Sequence, residues 1–250
     1  MGQKIMPAVL MSVLVAGCLI IILTGFRKVL SWLSFTKKKQ QSVFTSTLTV
    51  IILWVALLGV LAIAGFFRNF SLPPRPVIAI LVPLIIILYI SFSKKFVQLL
   101  KATPPHWLVF IQTFRIGVEL LLWLAFTKGL LPKQMTLEGR NFDIISGVLG
   151  LITGFLILQN KTSWKKWAII YNIIGLGLLL NILIIAMLSM PTPFHYFMNE
   201  PASTIVADFP FIYLPGVLVV IAFAFHIFSL RQVWLNREIA PDDSYRLKRE

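Results

Sequence analysis

The sequence predicts an all-α, polytopic bundle of seven transmembrane helices, with the N-terminus outside and the C-terminus cytoplasmic. Three observations carry this. The chain is 58% hydrophobic and only 13% charged, with a mean hydropathy of +0.88, whereas soluble domains carry roughly 25% charged residues. Its apolar residues gather into seven runs suited to crossing about 30 Å of hydrocarbon. Its basic residues alternate between rich and poor intervals from one run to the next, which fixes the orientation.

The runs are Pro7–Phe26, Val43–Phe67, Pro76–Phe92, Trp107–Phe126, Ile144–Gln159, Trp167–Ser189 and Phe211–Leu230. The third and fifth are short and are expected to stand nearly upright or to be extended by their flanks. No interval between runs is long enough to bury a core of its own. One membrane domain over 1–230 is therefore expected, followed by a basic, polar tail over 231–250.

Lys and Arg are retained on the cytoplasmic side of a membrane. One set of intervals holds sixteen of them: Arg27, Lys28 and Lys37 to Lys39, then Lys94, Lys95 and Lys101, then Lys161, Lys165 and Lys166, and finally Arg231, Arg237, Arg246, Lys248 and Arg249. The other set holds six, namely Lys4, Arg68, Arg75, Lys128, Lys133 and Arg140. The first set is assigned to the cytoplasm. The net charge of +14 is thus spread over membrane flanks and does not line one groove. That pattern excludes nucleic acid as the expected partner and points to anionic lipid headgroups at the cytoplasmic face. A bacterial inner membrane is the expected location.

Several local features refine this layout. Lys4 followed by an apolar run reaching Val15-Ala16-Gly17-Cys18 has the outline of a lipoprotein signal. However, Leu19 to Leu23 continue the apolar run where a processed signal gives way to polar chain, so the segment is read as a retained span. Arg27–Gln41 and Lys94–Lys101 mix apolar and basic residues, as short amphipathic helices on the inner leaflet do, and also as plain extensions of the adjoining spans do. Pro73-Pro74-Arg75-Pro76 and Thr103-Pro104-Pro105 are stiff turns that open new helices.

Charged groups within a span are costly, at roughly 2.5–3.5 kcal/mol each on insertion scales. The fourth run carries Gln112, Arg115 and Glu119 at i, i+3 and i+7, on one helix face that must point into the bundle. Arg115 and Glu119, four apart, are expected to neutralise each other. Depth counted at about 1.5 Å per residue places Gln112, Arg115, Asn172 and His226 in one polar layer. These residues with Glu119 form a candidate intramembrane site.

A second candidate site is extracytoplasmic, where Glu138, Arg140, Asn141 and Asp143 lie close together, with Asp143 placed to cap the fifth span. Gly147, Gly150 and Gly154 follow, and Gly150-xxx-Gly154 is the spacing that lets helix backbones approach closely. The polar loops around Glu138–Asp143 and Phe194–Asp208 are expected to fold back over the helix ends.

Four strings make the chain resemble a group of uncharacterised bacterial multi-pass membrane proteins. They are Gln112-x-Phe114-Arg115-x-x-Val118-Glu119, Pro132-x-Gln134-Met135-Thr136-x-Glu138-Gly139-Arg140-Asn141-Phe142-Asp143, Asn172-x-x-Gly175-Leu176 and His226-x-x-Ser229-Leu230-Arg231. The resemblance covers about Trp107–Gln232 and implies no activity.

Some functions are excluded. The last run has no lysine for retinal, and His106, His195 and His226 lie at different depths and cannot share a metal. The single Cys18 precludes an internal disulfide. There is no Gly-rich phosphate loop and no Gly-x-Ser-x-Gly. No cofactor is expected. Three functions remain open: a small transporter, channel or transport accessory with a polar intramembrane path, which ranks first; a sensor or assembly scaffold; and an intramembrane enzyme acting on a lipid or isoprenoid.

The orientation is tested by thiol labelling of intact cells. Cysteines placed near Thr36 and Asp243 are expected to be shielded from an impermeant reagent added outside, and one near Asn199 to be labelled. Labelling at Thr36 from outside refutes the charge assignment.

Overall fold

Long apolar stretches without water must satisfy their backbone polar groups internally, and in a membrane protein of this composition the local solution is the α-helix. The computed structural model describes residues 2–160, 162–198 and 200–236, and among these there is no strand. Most of the expected tail, 237–250, and the labelling positions Asn199 and Asp243 lie outside the described residues, as do Lys161, Arg237, Arg246, Lys248 and Arg249.

The helices are α1 (Gly2–Trp32), α2 (Lys37–Ile63), α3 (Arg75–Ser91), α4 (Lys94–Ala102), α5 (Pro105–Thr127), α6 (Asp143–Gln159), α7 (Trp164–Leu188) and α8 (Leu214–Leu235). Five of them, α1, α2, α5, α7 and α8, are long and apolar enough to cross a membrane, and α3 with α4 makes a sixth candidate that bends by 85°. The remaining apolar helix, α6, has 17 residues. Each of the seven apolar runs therefore falls mainly in a helix of its own, although the second runs past the end of α2 at Ile63 and the seventh begins before α8 at Leu214, and the chain has the architecture of a multi-pass membrane protein.

The breaks have local causes. Arg27 to Trp32 continue α1, and Thr36 caps the start of α2 by accepting from the Lys39 amide at 3.4 Å. The Arg27–Gln41 segment is thus split between two long helices and forms no separate surface helix. Lys94–Ala102 does form one, begun by Ser93 accepting from the Phe96 amide at 3.3 Å. Its apolar side packs Leu100, Phe96 and Val97 against Leu108 of α5 and Leu235 of α8. Gln232 ties the end of α4 down by donating to the carbonyls of Leu100 at 2.7 Å and Thr103 at 2.6 Å.

The helices α5 to α8 form the tightest part of the bundle. Glycines on α6 make the approach possible. A Cβ on Gly147 would meet Ile116 Cγ1 at 2.7 Å and the Ile116 backbone nitrogen at 2.9 Å, and one on Gly154 would meet the Phe110 ring at 2.4 Å. The first turns of α8 are π-helical over Leu214–Val219, and Gly216 there accepts from Trp54 Nε1 at 2.9 Å. This bond, with Leu58 packed on Gly216 and Gly59 beside the Tyr213 hydroxyl, holds the far half of α2 to the bundle. Helix α1 packs on α5 through Met11, Leu14 and Val15. The last helix runs five residues past Leu230, the expected end of its span.

Gly147→Ala is expected to lower thermal stability in detergent by about 1–3 kcal/mol through overpacking against the α5 backbone. Gly177→Ala, which meets nothing within 4 Å, is expected to leave stability unchanged. Equal melting temperatures for the two variants refute the close α5–α6 approach.

Candidate functional site

Arg115 sits midway along α5 with 1% of its surface exposed. A guanidinium there needs five acceptors, and the fold supplies all of them. Nε donates to Asp143 Oδ2 at 2.6 Å, and Nη2 donates to Asp143 Oδ1 and to the Gly175 carbonyl, the latter at 3.3 Å. Nη1 donates to Ser146 Oγ at 2.6 Å and to His226 Nε2 at 3.1 Å. The fork-on-fork pairing with Asp143 is the geometry that makes Arg–carboxylate pairs strong.

The histidine passes the network on. Because Arg115 only donates, His226 Nε2 accepts, and its proton lies on Nδ1, which donates to Asn172 Oδ1 at 2.7 Å. Asn172 Nδ2 in turn donates to Ser229 Oγ at 2.8 Å and to the Ala168 carbonyl at 2.6 Å. Tyr171 stacks on the His226 ring with centroids 5.5 Å apart. Gly175 is required here, since a Cβ would lie 2.5 Å from the His226 ring.

On the other side of the ion pair, Asn141 joins the network to Glu119. Its Nδ2 donates to Glu119 Oε1 at 2.6 Å, and its Oδ1 accepts from the Asp143 amide at 3.1 Å. One chain of contacts therefore runs Glu119, Asn141, Asp143, Arg115, His226, Asn172, Ser229. It links α5, the loop before α6, and helices α6, α7 and α8.

Two expectations are corrected. Arg115 does not pair with Glu119, four residues away on its own helix. Its partner is Asp143 on α6, because the loop from Lys128 to Phe142 turns inward and starts α6 opposite the middle of α5. Asp143 in turn makes no side-chain cap at the start of α6. Its carboxylate is committed to the guanidinium, a charged donor that outcompetes neutral amides.

The two candidate sites are also redistributed. Asn141 from the loop before α6 and Asp143 at the start of α6 join Arg115, Glu119, Asn172 and His226 in one buried cluster. Glu138 and Arg140 stay at the surface, where Glu138 accepts from Trp123 Nε1 at 2.6 Å and Arg140 lies over the Phe197 ring at 5.2 Å. Gln112 is buried but apart from the network, donating to the Ala222 carbonyl at 2.9 Å. Ser146 and the Gly175 carbonyl are members that sequence reasoning missed. Ser146 lies one helical turn after Asp143, and that spacing is the signal that would have found it.

The inward loop is fixed by its own backbone. The Gly139 amide donates to the Thr136 carbonyl at 2.9 Å, and Asn141 Nδ2 also donates to the Met135 carbonyl at 3.1 Å. A Cβ on Gly139 would lie 2.3 Å from the Lys133 carbonyl oxygen. Leu131, Met135 and Thr136 are buried beneath. In the second loop Ile205, Val206 and Ala207 are buried, while Phe194, Tyr196 and Met198 are exposed.

Within the cluster Glu119 Oε2 is buried without a partner, and outside it so is Gln112 Oε1. No three His, Cys, Asp or Glu side chains converge among the described residues. A separate apolar crevice of about 1050 Å³ lies between α1, α2, α4, α5 and α8, walled on the α5 side by Trp107, Ile111 and Phe114.

The described residues form an all-helical bundle with several apolar, membrane-length helices and a buried interhelical charge network, the architecture of a multi-pass membrane protein. A family model described as a domain of unknown function, DUF8737, matches residues 72–234. The chain belongs to that family. No curated protein and no solved structure matches it.

Double-mutant cycles test the network. Arg115→Leu and Asp143→Leu are each expected to cost about 3–5 kcal/mol, because each strands a buried charge, and the double variant is expected to be milder than the sum. Arg115→Leu with Glu119→Leu is expected to show much weaker coupling. The reverse order of couplings, read from thermal unfolding in detergent, refutes the pairing.

Proposed function

We propose that the chain is a seven-span protein of the bacterial inner membrane, N-terminus outside, that works as a sensor or assembly scaffold. Counting α3 and α6 as spans rests on their surroundings. Helix α6 is about 25 Å long at 1.5 Å per residue, and the inward loop before it fills the rest of the membrane depth with backbone buried in protein, where irregular structure is tolerated. The sixteen-to-six division of basic residues supports the orientation.

The observation that carries the scaffold reading is the complete satisfaction of Arg115. A cation lining a path for solute keeps donors free to meet it, whereas all five N–H groups of Arg115 are taken by protein acceptors. Such a network rigidifies its bundle and holds the loops that enter it. Exposed Phe194, Tyr196 and Met198, at 63%, 72% and 71%, then form a surface suited to headgroups or to a partner's membrane domain.

A transport path is the second reading, favoured by the unpartnered Glu119 Oε2 and Gln112 Oε1. The enzyme reading is less supported, since the crevice open to lipid is walled by Ile111 and Phe114 and excludes Arg115 and Glu119.

Proteoliposomes separate these readings. The scaffold reading expects proton, potassium and chloride leak no faster than in protein-free vesicles. A flux above that level that is lost in Glu119→Gln, a variant that keeps an acceptor for Asn141, overturns it in favour of transport.

A further inference from the structure

The apolar crevice is shaped by how α2 is attached. Trp54, Leu58 and Gly59 hold its far half against α8, and Phe44 near its start stacks on Phe26 of α1, while Thr47 and Ile51 between them line a crevice of about 1050 Å³. This is at the upper end of the roughly 300–1,000 Å³ of small-molecule sites. The lining is almost entirely hydrocarbon and aromatic, including Leu14, Ile21, Ile51, Leu99, Phe114 and Phe228. On α1 it extends from Val13 to Val29, about 24 Å at 1.5 Å per residue, more than the depth of one leaflet's hydrocarbon at about 15 Å. Val13 and Ile21 are themselves 61% and 62% exposed on a helix of membrane length. Whatever fills the crevice in a bilayer therefore enters from the hydrocarbon.

The mouth has a different chemistry. Lys28 is the one charged residue of the lining, and its Nζ lies 5.8 Å from the Trp32 ring and 5.5 Å from the Trp107 ring. The two indoles are themselves 5.5 Å apart. Tryptophans beside a lysine are the residues of the headgroup level. The same end of the bundle carries Arg27, Lys37, Lys38, Lys39, Lys94, Lys95 and Lys101. The five described carboxylates are all engaged elsewhere: Glu119 and Asp143 in the core, Asp208 with Lys4 and Arg68, Glu138 with Trp123, and Glu200 with the Ala202 amide. Among the described residues Lys28 has no carboxylate to meet.

From this juxtaposition we infer that the crevice is a binding site for an anionic glycerophospholipid of the leaflet at the basic end, with its acyl chain along Leu14, Ile21 and Phe114 and its phosphate on Lys28. The lysine supplies a point charge for the phosphate and the indoles cover the glycerol region. The site is separate from the buried charge network, so it stands or falls independently of the scaffold reading.

Native mass spectrometry of the full chain in mild detergent tests it, with dioleoylphosphatidylglycerol and dioleoylphosphatidylcholine as the probes. One phosphatidylglycerol per chain is expected to be retained, with a preference of about tenfold over phosphatidylcholine. Lys28→Gln is expected to abolish the preference, while Lys166→Gln, also on a basic interval, preserves it. Gly17→Phe is expected to prevent retention of either lipid without lowering the melting temperature, because Gly17 lines the crevice and a Cβ there meets nothing within 4 Å. Equal retention of the two lipids by the unmodified chain overturns the phosphate assignment, and undiminished retention by a folded Gly17→Phe variant overturns the site.

Discussion

A guanidinium in the middle of an apolar bundle is the constraint around which the rest of this structure is arranged. Unpaired, Arg115 would cost several kcal/mol. Paired on its own helix, it would still need acceptors for the remaining N–H groups. The fold meets this need from outside α5, with Asp143 and Ser146 from α6, the Gly175 carbonyl from α7 and His226 from α8. Four helices are thereby fixed in rotation and in height by one side chain.

Other irregularities follow from that arrangement. Asp143 reaches Arg115 only if α6 begins deep in the bundle, so the helix is short and the loop before it turns inward. The loop must then satisfy its backbone without water, which the Gly139 and Asn141 bonds do. The close approach of α6 to α5 requires glycine at 147 and 154, and the approach of the His226 ring and Ser146 to α7 requires glycine at 175. Glu119 is drawn in through Asn141 and serves the loop more directly than it serves the arginine.

Periodicity and charge made much of this legible. Each apolar run became a helix, and the i, i+3, i+7 spacing put Gln112, Arg115 and Glu119 on a buried face. Depth counting brought Asn172 and His226 to the right level. It misjudged the partner of Arg115 because spacing along one helix says nothing of acceptors on another. A carboxylate in a polar loop, written next to Asn141 and Phe142, reads as a surface group unless the inward turn of the chain is known. Carbonyl acceptors such as Gly175 leave no signature in side-chain chemistry at all, beyond the absence of a Cβ.

The boundary of the family match divides the molecule along the same line as its chemistry. The match begins at residue 72, so every member of the Arg115 network lies within it, while α1 and α2, which wall much of the apolar crevice, lie before it. Helices α5 and α8 belong to both regions. On α5, Arg115 and Glu119 face the network and Ile111 and Phe114 face the crevice, and on α8 His226 and Ser229 face one and Phe225 and Phe228 the other. Coupling between the two would need α5 or α8 to rotate or slide, and a guanidinium with every donor taken has no second set of acceptors to move to. The network therefore holds α5 to α8 in register behind the crevice, while α1 and α2 are attached to them through apolar packing and the Trp54–Gly216 bond.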